Sequence, residues 1–300
     1  MSNIRRRYLR ETLTNYAFIA PAIAGVLIFH LIPMVTSLFL SLTRYDVVSS
    51  PKFIGLNNYK TMVVDPLWRK SIFNTYYYVG VTLPIRLIIA LIAAVLLDQK
   101  VRGITIFRVI FYLPSITAGV AISLLWKLIF QPTYGLANSL LAHFGIQGPA
   151  WLGDPKWAMP SIIIMMSLNI GQFMLIFLAG LQSVPTYLYE AVQLDGGNRW
   201  HQFKYVTIPF LTPVIFLNIV IGIIEMVQMF TQAYVMTGGG PMDATLVYVM
   251  YIYQRAFQWL EMGYASSLAW FLFIVLLVLT IMQFKLSGRW VYYESAGGRR

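Results

Sequence analysis

The sequence predicts an all-α, polytopic membrane protein with six membrane-spanning helices and a helical cytoplasmic loop between the fourth and fifth. Composition is the first of three observations that point there. Hydrophobic residues make up 58% of the 300 and charged residues 11%, against about a quarter charged in ordinary soluble domains. Mean hydropathy is +0.68. The second observation is a series of six apolar runs, each near the roughly 20 residues that cross a bilayer as a helix. The third is the placement of Lys and Arg beside those runs, as positive-inside topology requires.

The runs are residues 16–42, 72–97, 107–130, 158–181, 209–231 and 264–286. Arg5, Arg6, Arg7 and Arg10 precede the first. That run exceeds the roughly 7–15 apolar residues of a signal-peptide core and lacks a small-residue cleavage site, so it reads as a retained span. Residues 1–15 and 287–300 read as cytoplasmic tails, 16–70 as the first helix with its outer loop, and 71–286 as the main transmembrane domain. With the N-terminus inside, the inner segments hold 13 Lys and Arg and the outer ones 7. Lys100, Arg102, Arg108, Arg199, Lys204, Lys285, Arg289, Arg299 and Arg300 complete the inner set. The first outer loop, with Arg44, Lys52, Lys60, Arg69 and Lys70, weakens that bias without reversing it. Both termini are expected in the cytoplasm.

Residues 190–213 form a polar connection, E-A-V-Q-L-D-G-G-N-R-W-H-Q-F-K-Y-V-T-I-P-F-L-T-P, between two long apolar runs. A short helix from Glu190 to Leu194 is expected to end at Gly196 and Gly197, since glycine supplies the left-handed residue that closes a helix. Asn198 is positioned to cap a second helix through Trp200, Phe203 and Lys204. Pro209 is expected to open the next span, where its missing N–H costs little. By pattern alone this is an amphipathic interfacial connection. Glu190, Ala191, Asp195, Gly196, Phe203, Ile208 and Pro209 at these spacings resemble the E-A-A loop of permease subunits from ATP-binding-cassette importers. Val192 stands where that family usually has a second alanine.

The outer segments extend the resemblance. Y-V-M-T-G-G-G-P from Tyr234, Y-I-Y-Q-R-A-F from Tyr251 and G-Y-A-S-S-L-A from Gly263 are similar to the carbohydrate-uptake branch of these permeases. F-I-G-L-N-N-Y from Phe53 and the stretch from Phe107 to Pro114 match the same branch. Read without the resemblance, the Gly-rich cluster is a turn and the tyrosines an aromatic belt. The resemblance implies a sugar importer with a second homologous permease, two ATP-binding subunits and an external solute-binding protein. It implies that the 190–209 loop is a coupling helix docked on the ATPase, with Glu190 making a charge contact. Asp195 would orient the turn, Gly196 permit it, and Phe203 anchor the second helix. No cofactor belongs to this chain; ATP and Mg would be bound by the partner ATPase.

Polar residues inside the spans mark what is carried, because in membrane helices they tend to face the bundle interior or a wet cavity. Asn218, Gly222, Glu225, Gln228 and Gln232 recur at helical spacing in the fifth span, one stripe of a helix. Asn169 and Gln172 flank Gly171 in the fourth, and Ser115, Thr117 and Ser123 lie in the third. Such amides, carboxylates and hydroxyls suit a sugar, with Phe173 or Trp126 as a stacking face. They equally suit interhelical hydrogen bonding, worth about 0.6 kcal/mol on average. Arg86, near the centre of the second span, either pairs with Glu225 or meets an acidic sugar; pairing is favoured because buried charges usually find a protein partner.

Enzymatic readings have no support in the motifs. There is no G-x-x-x-x-G-K-[ST] phosphate loop, and no cysteine to form a disulfide, a thiolate metal site or a nucleophile. His30, His143 and His201 lack metal-ligand spacing. The net charge of +11 lies beside apolar runs and not in an aromatic-interleaved patch, which argues against nucleic acid. An importer of a non-sugar solute and a self-contained secondary transporter are the alternatives. Inverted repeats, expected of the latter, are absent from the sequence.

Overall fold

The computed structural model describes residues 2–99 and 101–292, giving backbone alone for residues 2–10 and 13. The side chains of Arg5, Arg6, Arg7 and Arg10, together with Lys100, Arg299 and Arg300, lie outside the described residues, as does the tail beyond Tyr292. Two compact units divide the chain: Met1–Val64 with Ile252–Phe273, and Asp65–Tyr251 with Ile274–Arg300.

In the first unit, α1 (Ser2–Val26) passes through a π-helical turn, Leu27–Leu31, into α2 (Ile32–Ser41). The backbone of residues expected as a tail is therefore helical from Ser2. A small hairpin follows, β1 (Thr43–Arg44) antiparallel to β2 (Lys52–Phe53), with Thr43 opposite Phe53. The helix α3 (Asn57–Val64) tucks beneath it, and Asn58 Nδ2 donates to the Ser41 and Thr43 carbonyls at 2.8 and 2.9 Å. Gly263 packs against this hairpin so closely that a Cβ there would sit 2.1 Å from the Thr43 carbonyl oxygen.

The second unit is a bundle around α4 (Pro66–Leu97), which packs against α8 (Pro155–Leu168), α9 (Gly171–Gln182) and α12 (Ile208–Val227). Two of these helices start alike. Asp65 accepts from the Leu67 N–H at 2.9 Å ahead of Pro66, and Asp154 accepts from the Lys156 N–H at 2.9 Å ahead of Pro155. An Asp cap before a proline at the first helical position satisfies donors that the helix cannot. Between them lie α5 (Ile104–Ile116), α6 (Gly119–Ile129) and α7 (Leu136–His143). Beyond α9 come α10 (Thr186–Leu194) and α11 (Arg199–Gln202); after α12 follow α13 (Thr231–Met236), α14 (Tyr248–Tyr253) and α15 (Met262–Ser287), the last running on from the first unit.

Five helical stretches among the described residues are long and apolar enough to cross a membrane: Thr14–Ser41, Pro66–Leu97, Pro155–Gln182, Arg199–Val227 and Met262–Ser287. The sixth expected span, 107–130, is not a straight helix. Its two halves, α5 and α6, meet at a 99° bend. The backbone explains this: Thr117 and Ala118 are both extended (ψ 141° and 128°), so the helix stops and Gly119 restarts it in a new direction. The fourth span also breaks, at Asn169 and Ile170, without losing its direction. The fifth span ends at Val227, short of the expected Thr231.

Candidate functional site

Two polar constructions stand out in the bundle unit. The first is the hairpin between the fourth and fifth spans. After α10, Gly196 takes φ +78°, a left-handed conformation that only glycine adopts freely. The Gly197 N–H returns to the Val192 carbonyl at 2.8 Å, and the Gly196 N–H to Gln193 at 3.0 Å, closing the helix end. Asp195 occupies the C-cap, but the turn is held by these backbone bonds; its carboxylate faces a shallow cavity with Val192, His201 and Tyr205. Asn198 Oδ1 then accepts from the Trp200 and His201 N–H groups at 3.0 and 3.1 Å, starting α11. Glu190 and Ala191 lie on α10 and are both exposed.

The structure adds detail to two expectations for this hairpin. Pro209 lies in the first turn of α12, as expected, but a π-helical turn, Phe203–Thr207, joins α11 directly to α12, so no break precedes the span. The extra residue of the π turn accommodates a proline that has no N–H to give the ladder. Phe203 is half-buried on that turn. It stacks on Trp200, ring centroids 5.7 Å apart, while Val206 and Thr207 are the buried residues. The hairpin is tied by contacts the sequence reading missed: Gln202 Nε2 donates to the Tyr189 carbonyl at 3.0 Å, and the Tyr189 and Thr207 hydroxyls meet at 3.1 Å. A hydroxyl pair 18 residues apart leaves no local signal.

The second construction is the bundle interior. Arg86 Nη1 donates to Glu225 Oε1 at 3.1 Å, and the guanidinium lies 4.3 Å over the Phe173 ring. The arginine is buried; the glutamate side chain is 39% exposed. Asn218 Nδ2 reaches the Phe173 carbonyl at 3.4 Å. Gly222, one turn from each acidic and amide neighbour on α12, lets α12 approach α4: a Cβ there would lie 2.5 Å from Leu83 Cδ1. Arg86, Asn218 and Glu225 thus converge around Phe173. Phe173 is fully buried under the arginine, so it offers no free stacking face. Trp126 is taken up by Phe130, with centroids 5.2 Å apart.

The other expected pathway residues separate from that cluster. Asn169 Oδ1 accepts from Ser115 Oγ at 2.8 Å, joining α8 to α5. Gln172 and Gln228 are exposed. The expected stripe on the fifth span therefore runs from a buried end, Asn218 and Gly222, to an open one, Glu225 and Gln228, while Gln232 lies beyond the helix end on α13.

A stripe on α4 was missed altogether. Ser71, Asn74, Thr75, Tyr78, Thr82 and Arg86 are all buried and spaced along one helical face. At its N-terminal end Asn74 Nδ2 donates to the Asp243 and Leu246 carbonyls at 2.9 and 3.0 Å, and Thr75 Oγ1 accepts from the Tyr248 N–H at 2.8 Å. The period was legible in the sequence; only Arg86 was taken from it because charge draws attention that hydroxyls do not.

Comparison with known proteins agrees with this architecture. Residues 63–291 match the family described as binding-protein-dependent transport system inner membrane component. The chain is 43% identical over 295 residues to the probable ABC transporter permease protein YesP of Bacillus subtilis, covering 97% of this chain and 95% of that one. It is 34% identical to the arabinooligosaccharides transport system permease protein AraP of the same organism, covering 96% and 92%. With the trehalose/maltose transport system permease protein MalF of Thermococcus litoralis the identity is 32%, covering 92% and 94%. A chain of the crystal structure of a bacterial ABC transporter involved in import of alginate superposes with TM-score 0.81 at 24% identity, covering 96% and 99%, a likeness of fold. A six-span membrane chain matched along nearly its whole length by such permeases belongs to the family of binding-protein-dependent transport system inner membrane components.

Proposed function

We propose that this chain is a permease subunit of an ATP-driven importer that carries a sugar or oligosaccharide across the cytoplasmic membrane. The observation that carries the reading is the helix–glycine–helix hairpin, α10 to α11, continuous with the spanning helix α12. A docked hairpin that is one piece with a bundle helix transmits a push from outside the membrane into the bundle. The partner set is a second homologous permease, two ATP-binding subunits that hold ATP and Mg, and an external solute-binding protein. Closure of the ATPases would move the hairpin as a lever and switch the bundle between inward-open and outward-open states. Both termini and the hairpin then lie in the cytoplasm.

The sugar class is supported by the names of several relatives, which include transport permeases for arabinooligosaccharides, lactose and trehalose or maltose. It is also supported by the hydroxyl, amide and carboxylate groups gathered within the bundle. The test is purification of the chain from its native membrane in mild detergent, followed by mass spectrometry of what stays bound. A second six-span permease and an ATP-binding protein are expected. Recovery of the chain alone, still moving solute in liposomes without ATP, would establish a secondary transporter instead.

A further inference from the structure

The α4 stripe is satisfied at one end and orphaned at the other. Toward the N-terminal end its polar groups, Ser71, Asn74 and Thr75, all find partners. Farther along, the Tyr78 hydroxyl, the Thr82 hydroxyl and Arg86 Nε are buried and have no hydrogen-bond partner among the described residues. Tyr78 and Thr82 are 0% exposed and Arg86 is 1% exposed. They stand at steps of four, one above the next on a single helix face. Across from them, Asn218 Oδ1 on α12 is also unpartnered. Each such group carries a desolvation penalty that nothing in this arrangement offsets. Four together, beside an ion pair whose glutamate is open to one side, are not a finished structural network.

The geometry beside them permits movement. Where α12 passes α4 the contact rests on Gly222, with the flexible Leu83 and the edge of Phe173 as its nearest neighbours. A small-residue contact of this kind lets two helices shift against each other without a large clash. Glu225, exposed on one side and bonded to Arg86 on the other, marks the boundary between the buried face and the open one.

We infer that Tyr78, Thr82 and Arg86 on α4, with Asn218 on α12, face the solute pathway in the access state other than this one, and there hydrogen-bond the hydroxyls of a polyhydroxylated solute. This rests on the transport reading above and adds α4 residues to the pathway. The donor and acceptor set fits a neutral sugar: two hydroxyls that both give and accept, an amide oxygen that accepts, and one guanidinium N–H that donates. The Arg86 charge stays matched by Glu225, so the site carries no net positive charge with which to demand an anion.

The chain has no cysteine, so a single Thr82→Cys substitution reports its own surroundings. The labelling is read in the assembled complex in proteoliposomes, after ATP-driven sugar uptake has been measured with the unaltered chain. A failed uptake condemns the transport reading, and a failed labelling pattern condemns this inference. A small uncharged methanethiosulfonate is applied without nucleotide and again with ATP and vanadate, with Gln172→Cys, exposed in this structure, as the reactive reference. Thr82→Cys is expected to be inert in one condition and to react about tenfold faster or more in the other, since labelling follows the population of the open state. Transported sugar is expected to slow it. Inertness in both conditions, or labelling that sugar leaves unchanged, overturns the proposal in favour of a sealed or merely hydrated packing site. Tyr78→Phe removes one hydroxyl with little change in shape. It is expected to raise the KM for uptake about tenfold, the worth of one hydrogen bond to solute, with the melting temperature unchanged. A lowered melting temperature with unchanged KM overturns the inference as well.

Discussion

Arg86 on α4 and Glu225 on α12 form an asymmetric ion pair: their nearest nitrogen and oxygen are 3.1 Å apart, yet the arginine is sealed in the bundle while the glutamate is 39% exposed. The two partners therefore do not need each other equally. Glu225 keeps an open side, whereas the guanidinium is enclosed, with the Phe173 ring 4.3 Å from its centre.

The asymmetry predicts unequal costs. Glu225→Gln leaves a buried positive charge uncompensated and is expected to destabilise by about 3 kcal/mol. Arg86→Met leaves a glutamate with an open side, and is expected to cost about 1 kcal/mol or less. Thermal melts of the detergent-solubilised complex rank the two directly. Equal losses, or a larger one for Arg86→Met, would contradict the burial difference.

Gly196 offers a second comparison, because its constraint is backbone alone. No atom lies within 4 Å of where its Cβ would be, yet φ is +78°. A β-branched residue there is strained by about 1–2 kcal/mol without any clash. Gly196→Val is expected to insert normally and to hydrolyse ATP while importing little, because the lever is bent at its joint. Gly196→Asn is expected to retain most coupling, as asparagine tolerates the left-handed region. Uptake and ATPase rates measured side by side decide it; normal coupled uptake by the valine variant would sink the lever account.

That hairpin was also the most legible part of the chain. Its signals are local: a glycine after a helix, an asparagine two residues later, and an apolar run beyond. The bent third span was not legible as read, because hydropathy is blind to backbone dihedrals and remains high through Thr117 and Ala118. Pro114 and Gly119 flank the break and were the available warning. The interior cluster was half legible. Spacing placed Asn218 and Glu225 on one helix, and the cost of a lone central arginine pointed to the Arg86 pairing. Nothing local could show that Phe173 would be buried beneath that arginine, nor that Asn169 would be engaged by Ser115, since both depend on how three helices meet.

Asn198 separates local order from global stability. Its side chain satisfies two N–H groups of α11, while its own N–H lies 3.3 Å from His201 Nδ1. Asn198→Ala is expected to cost about 1 kcal/mol, confined to the hairpin. Hydrogen exchange should quicken at Trp200 and His201 and stay unchanged in α4. Asn198→Asp, which keeps the acceptor, is expected to restore protection. Faster exchange spread through the bundle would mean that the cap supports the spans themselves.

Two glycines at helix crossings close the series, because what lies opposite each differs in kind. A Cβ on Gly171 would lie 2.8 Å from the Tyr112 Cα and 2.9 Å from the Phe111 carbonyl oxygen, both backbone atoms of α5, and 2.4 Å from Ser115 Oγ. A Cβ on Gly222 would meet the end of Leu83 and the edge of Phe173. Side-chain tips can rotate away, whereas a helix backbone has to move as a body. Gly171→Ala is therefore expected to cost at least 2–3 kcal/mol, the upper range of overpacking, and to pull the Ser115–Asn169 bond apart. Gly222→Ala is expected to cost about 1 kcal/mol and to leave assembly intact. Yields of folded complex and melting temperatures should fall in that order. If Gly222→Ala proves the more damaging, the α4–α12 crossing is the rigid one, and the shift of these two helices that the pathway proposal relies on is ruled out.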